Sequence, residues 1–115
     1  MAQLNVTLRQ TADVTILDLS GKITIGDGSV TFRAAIRDAL NQGRTNLLLN
    51  FAEVSYMDSS GLGELVSGYT TTASMGRKLK LLNLPQKLQD LLMITKLLTV
   101  FEVFDDEADA VQSFG

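Results

Sequence analysis

The sequence predicts an α/β protein with a mixed, mostly parallel sheet and packed helices, in the element order β-β-α-β-α-β-α-β-α. Two strand patterns follow each other directly at the start of the chain, which is typical of a hairpin. From the second strand onward, strand and helix patterns alternate, and the crossover connections this requires make neighbouring strands parallel. The 115 residues include one proline and no linker-like segment or internal repeat, so we expect a single domain over residues 1–115.

Local patterns identify the first two strands and the loop that follows them. Residues 4–9 alternate between apolar and polar side chains, and residues 13–19 are rich in β-branched and apolar types, which together predict the hairpin. Gly21 is expected to end the second strand. The loop at 24–29 contains two glycines that permit a positive φ, and Ser29 is in position to cap the next helix.

The remaining elements follow from the same kinds of pattern. An apolar stripe at helical spacing predicts a helix from Ser29 to about Gln42. The apolar run at 46–51 does not alternate, which predicts a central strand buried on both faces. The elements expected after that strand are a helix with Leu65 on its apolar stripe that ends at Ser74 or Met75, a strand at 78–84, a helix opened by Pro85, a strand at 100–104 and a C-terminal helix that begins near Asp105.

Residues 54–66 join the central strand to the next helix, and polar groups concentrate at this turn. Asp58 is in the position of an N-cap, where its carboxylate can accept a hydrogen bond from the amide of Ser60 or Gly61. Ser59 and Ser60 then lie in the first helical turn. Free N–H groups and the positive end of the helix dipole favour an anion there, so a phosphate on Ser59 could be accommodated without unfolding the helix.

Composition excludes several classes of chemistry. The chain has no His and no Cys, so it lacks the usual zinc ligands, a thiol nucleophile and the usual base of a hydrolytic serine. It contains no phosphate-binding loop and no dinucleotide-binding fingerprint. A net charge of −3 disfavours nucleic acid, and the sequence has neither an apolar run long enough for a membrane span nor a signal peptide. We therefore expect a cytoplasmic protein with no enzyme activity, no metal and no cofactor.

The turn also carries a family resemblance. The run Met57-Asp58-Ser59-Ser60-Gly61-Leu62-Gly63 resembles the phosphorylation turn of the STAS domain, and specifically that of bacterial anti-sigma factor antagonists. The similarity extends over nearly the whole chain, because residues 20–23 resemble the family's glycine-containing turn after its second strand and residues 100–105 its last strand. The resemblance implies a single STAS-type domain in which Ser59, the first serine after the aspartate, is phosphorylated.

The same resemblance implies a function and a set of partners. Unphosphorylated on Ser59, such a protein binds an anti-sigma factor serine kinase and thereby releases a sigma factor. The kinase supplies the ATP, and a phosphatase is expected to reverse the modification. We expect no contact with nucleic acid or with a membrane. The protein is expected to be a monomer or a weak dimer. The residues expected to contact the kinase are Asp58, Ser60, Gly61 and Gly63 at the turn and Thr24, Gly26 and Asp27 in the loop.

Each of these assignments has an alternative. Ser59 could be only a capping or solvent-facing hydroxyl, and Ser60 could be the phosphate acceptor instead. Asp58 could serve only as an N-cap. Gly61 and Gly63 could allow either close approach of a partner or packing of the helix on the sheet. The alternative function is a constitutive STAS scaffold or adaptor subunit of a lipid-transport or stressosome-like assembly, and a hydrolase is a third, more distant hypothesis.

Two positions depart from the family pattern. Antagonists usually carry an acidic residue shortly after the glycine of the second-strand turn, near the position where this chain has Thr24. They often have an Asp where Asn50 stands near the end of the central strand. Both departures bear on the charge pattern that the partner would recognise. The loop at 24–29 also has a simple alternative, an ordinary connection between a strand and a helix.

Overall fold

The computed structural model describes residues 3–44 and 46–115. These residues form one mixed sheet in the order β1-β2-β3-β4-β5, in which β1 is antiparallel to β2 and the other neighbours are parallel. The predicted order of strands and helices is confirmed. The strands are β1 (Leu4–Thr11), β2 (Val14–Ile23), β3 (Asn46–Met57), β4 (Lys78–Leu82) and β5 (Val103–Phe104), and the helices are α1 (Asp27–Asn41), α2 (Ser59–Ser74), α3 (Gln86–Ile94) and α4 (Glu107–Phe114), with a 3-10 turn at Leu98–Val100.

Helices cover both faces of the sheet. The helices α1, α2 and α3 bury the larger core on one face, where Phe32 of α1 packs edge-on against Phe51 of β3. On the opposite face α4 covers a smaller cluster that includes Leu48 and Ala110. Leu47 and Leu49 point into the larger core while Leu48 points into the smaller one. The prediction that this run is buried on both faces is therefore confirmed.

Several strand boundaries differ from those expected. β2 does not end at Gly21 but continues to Ile23, because Gly21 adopts φ +117° at a register shift against β3. A Cβ at Gly21 would lie 2.1 Å from the carbonyl oxygen of Gln3, so only glycine fits this bulge. β3 extends beyond residue 51 to Met57, through a stretch in which most side chains are exposed, unlike the buried run before it. β4 stops at Leu82, because Asn83 turns the chain with φ +57°.

The first helix begins earlier than the sequence suggested. Ser29 is not its cap. The N-cap is Gly26, whose φ of +95° turns the chain so that α1 can start at Asp27. Ser29 is buried in the first turn and its hydroxyl donates to the carbonyl of Gly26 at 3.2 Å. The last strand is likewise shorter than expected, with a 3-10 turn at 98–100 and a strand at 103–104 only.

The helix α4 is attached to the sheet by polar contacts as well as by its apolar face. The guanidinium of Arg9 on β1 contacts both Asp18 of β2 and Glu107 of α4, the latter at 2.7 Å. At the other end of the helix, the buried ammonium of Lys80 donates to the carbonyl of Ser113 at 3.1 Å. Both cations sit on the α4 side of the sheet, so α4 is held there by an ion pair with Arg9, a hydrogen bond from Lys80 and a small apolar cluster.

Candidate phosphorylation site

Asp58 lies between the end of β3 and the start of α2, and its carboxylate joins two segments of the chain. Its backbone is extended, with φ −99° and ψ −173°, as an N-cap requires. One oxygen accepts a hydrogen bond from the amide of Gly61 at 3.1 Å, which confirms the predicted cap. The other accepts from the amide of Ile25 at 2.9 Å. The loop after β2 is thus fixed beside the start of α2.

These contacts also set the ionisation of Asp58. The amide of Ile25, and after it that of Gly61, stabilises the carboxylate and lowers the pKa of Asp58 below its ordinary value. A carboxylate that is harder to protonate is a weaker base. Asp58 is therefore poorly suited to deprotonate a neighbouring hydroxyl, and its main role in the structure is to accept hydrogen bonds.

Ser59 and Ser60 occupy the first turn of α2, as predicted, but in different surroundings. Ser59 is exposed and Ser60 is half-buried. Among residues 3–44 and 46–115, neither hydroxyl forms a hydrogen bond with another group of the protein. Since the first amides of a helix are short of acceptors and the helix dipole is positive there, the Ser59 hydroxyl lies where an added anion is electrostatically favoured.

The two glycines of the turn have different environments. Gly61 is buried, and a Cβ at this position would lie 2.3 Å from the carbonyl oxygen of Ile23. Gly61 therefore lets α2 approach β2 closely, which is the packing alternative considered for it. Gly63 is exposed, and a Cβ there would meet nothing within 4 Å among the described residues. No packing requirement of the described chain accounts for glycine at this second position.

Two of the predicted contact residues of the loop, Thr24 and Asp27, are hydrogen-bonded to Gln3 in the N-terminal segment. The hydroxyl of Thr24 donates to the side-chain oxygen of Gln3 at 3.1 Å, and the backbone amide of Gln3 donates to the carboxylate of Asp27 at 2.8 Å. Gly26 is exposed at the N-cap of α1. Thr24 and Asp27 thus have structural contacts within the chain, and Asp27 belongs to the first turn of α1 rather than to a loop.

Sequence reasoning missed Gln3 and Ile25. Gln3 lies in a polar stretch near the start of the chain, and nothing local indicates that it contacts residues more than 20 positions away. Ile25 is 74% exposed although it is strongly apolar. An isolated Ile between Thr24 and Gly26 was a usable signal, since a large apolar side chain on an exposed loop often marks a contact surface.

An apolar groove lies on the other side of the turn. It is open to solvent, has a volume of about 310 Å³, and is lined by the end of β3 and by α3. Tyr56, which is 49% exposed, and Met57 precede Asp58 directly, while Ile94 at the end of α3 is 79% exposed. The remaining apolar walls are Leu88 and Leu91. The apolar groove is therefore lined in part by Tyr56 and Met57, which lie two to three residues before Ser59 in the sequence.

Asn50 has a structural reason to differ from the family pattern. Its side-chain amide donates to a carboxylate oxygen of Asp18 at 2.8 Å, and its oxygen accepts from the amide of Asn83 at 3.2 Å. An aspartate at position 50 would place a second negative charge against Asp18 and lose this donor. Asp18, Asn50 and Asn83 thus form a row of hydrogen-bonded side chains across β2, β3 and the end of β4, and the middle residue, Asn50, carries no charge.

The described residues offer little for other chemistry. In the ranges 3–44 and 46–115, no three acidic, His or Cys side chains are arranged so that they could hold a metal ion. Within the same ranges, no helix combines the length and the apolar character that crossing a membrane requires.

Comparison with known proteins gives a consistent result. The model of the STAS domain family matches residues 5–110. The anti-sigma-B factor antagonist of Bacillus subtilis is 30% identical over 109 residues, which is 95% of this chain and 98% of that protein. A crystal structure from Thermotoga maritima, described as a putative anti-sigma factor antagonist, superposes with a TM-score of 0.85 at 23% identity and covers 95% of this chain and 93% of its own. The Bacillus cell fate determinant SpoIIAA in its phosphorylated form gives 0.74 at 23% identity, covering 95% and 98%.

Proposed function

The chain belongs to the STAS domain family, and from this premise we propose that it is an anti-sigma factor antagonist that works as a phosphorylation switch. Unphosphorylated on Ser59, it binds an anti-sigma factor serine kinase in the cytoplasm and so releases a sigma factor. With a phosphate on Ser59 it no longer binds. The kinase supplies the ATP and a phosphatase restores the binding form, so the chain itself performs no catalysis.

One observation carries this proposal: Ser59 is an exposed hydroxyl in the first turn of a helix, directly after a fixed N-cap. Exposure makes the hydroxyl accessible to a kinase. The two hydrogen bonds of Asp58 hold the backbone on either side, so a kinase would meet a defined conformation and not a flexible loop. The favourable position for an anion lets the phosphorylated chain stay folded.

The phosphate would act on binding through charge and hydration. It adds about −1.5 to −2 charge and three strong acceptors beside the carboxylate of Asp58, whose pKa is already lowered. Burying this cluster in an interface requires removing water from two neighbouring negative groups. A partner that fits the unmodified turn closely would therefore lose affinity for the phosphorylated form.

The proposed contact surface combines the turn with the segments fixed beside it. Ile25 is held next to the turn by its hydrogen bond to Asp58, and the groove at Tyr56 and Ile94 begins two residues before Asp58. Apolar side chains of the kinase would bind to Ile25 and in this groove, while other groups of the kinase would contact the turn itself. The residues proposed for direct contact are Asp58, Ser60, Gly63, Thr24, Gly26 and Asp27, with Ile25 and Tyr56 added. Gly61 is buried, so its proposed contribution is to let α2 pack closely on β2 and so position the turn.

The relatives support the proposal in two ways. The Bacillus subtilis protein that matches over almost its full length is named an anti-sigma-B factor antagonist. A protein of the same fold, SpoIIAA, is described in a phosphorylated form, so phosphorylation is compatible with this architecture.

The test is to incubate the protein with Mg-ATP and the Ser-kinase-like ATPase encoded nearest to its gene, then to locate added phosphate by peptide mass spectrometry. We expect one phosphate on Ser59 that is absent from Ser59→Ala and present in the neighbouring control Ser60→Ala. Phosphate that persists in Ser59→Ala and disappears in Ser60→Ala would move the site by one residue. The absence of phosphate with every neighbouring kinase would instead favour the constitutive scaffold.

A further inference from the structure

The strand β1 is an edge of the sheet, and in the described part of the chain no strand pairs with its outer side. The amide of Lys22 donates to the carbonyl of Gln3, so these two opposite residues form a hydrogen-bonded pair. Antiparallel pairing alternates along a strand, which turns the N–H and C=O groups of every second residue of β1 away from β2. The outward residues are Leu4, Val6, Leu8 and Gln10.

This edge carries none of the usual protection against pairing. Exposed edge strands of monomeric proteins are commonly guarded by lysine, proline, bulges or inward charges. β1 contains no Lys, Pro, Asp or Glu, and its eight residues pair with β2 without a register shift. Its one charged residue, Arg9, is already engaged by Asp18 and Glu107. The outward backbone groups are therefore available to a further strand.

An apolar groove runs beside the same edge. It lies between β1 and α1, with a volume of about 430 Å³, and its apolar walls come from Val6 and Leu8 on the strand and from Val30, Ala34 and Ala35 on the helix. Leu8 is 45% and Val30 51% exposed, so apolar side chains on both walls of the groove are open to solvent. A strand added to β1 would place alternate side chains over this groove.

We propose that β1 pairs antiparallel with β1 of a second copy of this chain, about a two-fold axis at Thr7, so that the two sheets become continuous. In this register Val6 of each copy lies opposite Leu8 of the other, and both residues provide the outward N–H and C=O groups. Thr7 lies opposite itself. Arg9 lies opposite Asn5, so no like charges face each other across the new pair.

A second copy of this chain suits the edge because the strand is self-complementary. A two-fold contact must be self-complementary, and here the same strand supplies both the exposed apolar side chains and the groove that they cover. The pairing brings Val6 and Leu8 of each copy next to the groove of the other. The chain thus holds, on one surface, both parts of the contact.

The first test is sedimentation at increasing protein concentration. We expect a dimer that forms with concentration and is lost in Leu8→Lys, because the ammonium would be placed in the apolar contact. The control Met75→Lys changes a side chain of nearly the same exposure, 46%, at the C-terminus of α2, and should leave the dimer intact. A monomer at all concentrations up to about 1 mM, or a dimer that Leu8→Lys leaves unchanged, would overturn the proposal.

The second test uses the absence of cysteine in the chain. Thr7→Cys creates a single thiol whose Cα should lie about 4.5 Å from its counterpart, within the range for a disulfide. Asn5→Cys is the matched control on the same strand face, because four residues of offset separate its two copies by about 13 Å. We expect mild oxidation to cross-link Thr7→Cys and not Asn5→Cys. Equal rates of cross-linking for the two variants would contradict this pairing.

Discussion

The carboxylate of Asp58 accepts backbone hydrogen bonds from two segments that are far apart in sequence, Ile25 and Gly61. These bonds lower the pKa of Asp58 from its ordinary value of 3.8. A group with a lowered folded pKa stabilises the protein above the ordinary value, and this contribution is lost as the pH falls through the folded pKa. The stabilising effect of Asp58 is therefore present at neutral pH and disappears only in acid.

This linkage predicts a pH-dependent difference between two variants. Asp58→Ala removes the acceptor, so it should lower the free energy of unfolding at pH 7, and its difference from the unmodified protein should shrink below pH 3.8 as the carboxyl becomes protonated. Asp58→Asn keeps an oxygen acceptor at the N-cap and should retain more of the stability. Urea unfolding across this pH range measures both. A difference for Asp58→Ala that does not change with pH would contradict the role given to the charge.

The closeness of α2 to β2 depends on Gly61, and Gly63 provides a matched comparison two residues later. A Cβ at position 61 would overlap the carbonyl of Ile23, whereas one at position 63 has open space. Gly61→Ala should therefore cost about 1 to 3 kcal/mol of stability. Gly63→Ala should stabilise the helix by about 0.5 to 1 kcal/mol, since alanine loses less backbone entropy there. Thermal unfolding of both variants checks this, and a stable Gly61→Ala would mean that the contact is not tight.

The apolar face of α2 is the second feature that fixes the position of the turn. Leu65 is 1% exposed within the larger core, as the helical stripe in the sequence predicted. Leu65→Ala should destabilise the protein by about 2 to 5 kcal/mol, because it removes buried apolar groups and leaves a cavity. The exposed neighbour Ser67→Ala is the control and should change little. If the two variants denature at the same urea concentration, the helix face has been assigned wrongly.

The order of elements and the main core could be predicted from the sequence, because both follow from hydrophobic periodicity. The non-alternating run at 46–51 and the stripe with Leu65 are examples. Boundaries were less accurate where a backbone conformation decides them. Gly21 permits a bulge instead of ending β2, and Gly26 starts α1 in place of Ser29. A glycine in the sequence marks an unusual conformation but does not say which one.

The candidate site was predicted in part for a similar reason. The turn at 58–61 could be recognised because an N-cap, two serines and a glycine are adjacent in sequence. The hydrogen bond from the amide of Ile25 to the carboxylate of Asp58 joins residues 33 positions apart in sequence. The hydrogen bonds between Gln3 and the loop after β2 join residues more than 20 positions apart. Such long-range hydrogen bonds depend on how the strands are arranged in space, which no local pattern encodes.

In the proposed switch, one phosphate on Ser59 abolishes partner binding while the chain stays folded. The most direct measurement is a calorimetric titration of the anti-sigma factor kinase with the unmodified and the fully phosphorylated protein, both first shown to have the same circular dichroism spectrum. We expect the phosphorylated form to bind more than tenfold more weakly, a difference of at least about 1.4 kcal/mol, and Ser59→Ala to bind like the unmodified protein. Equal affinities for the phosphorylated and unmodified forms would rule out the phosphorylation switch.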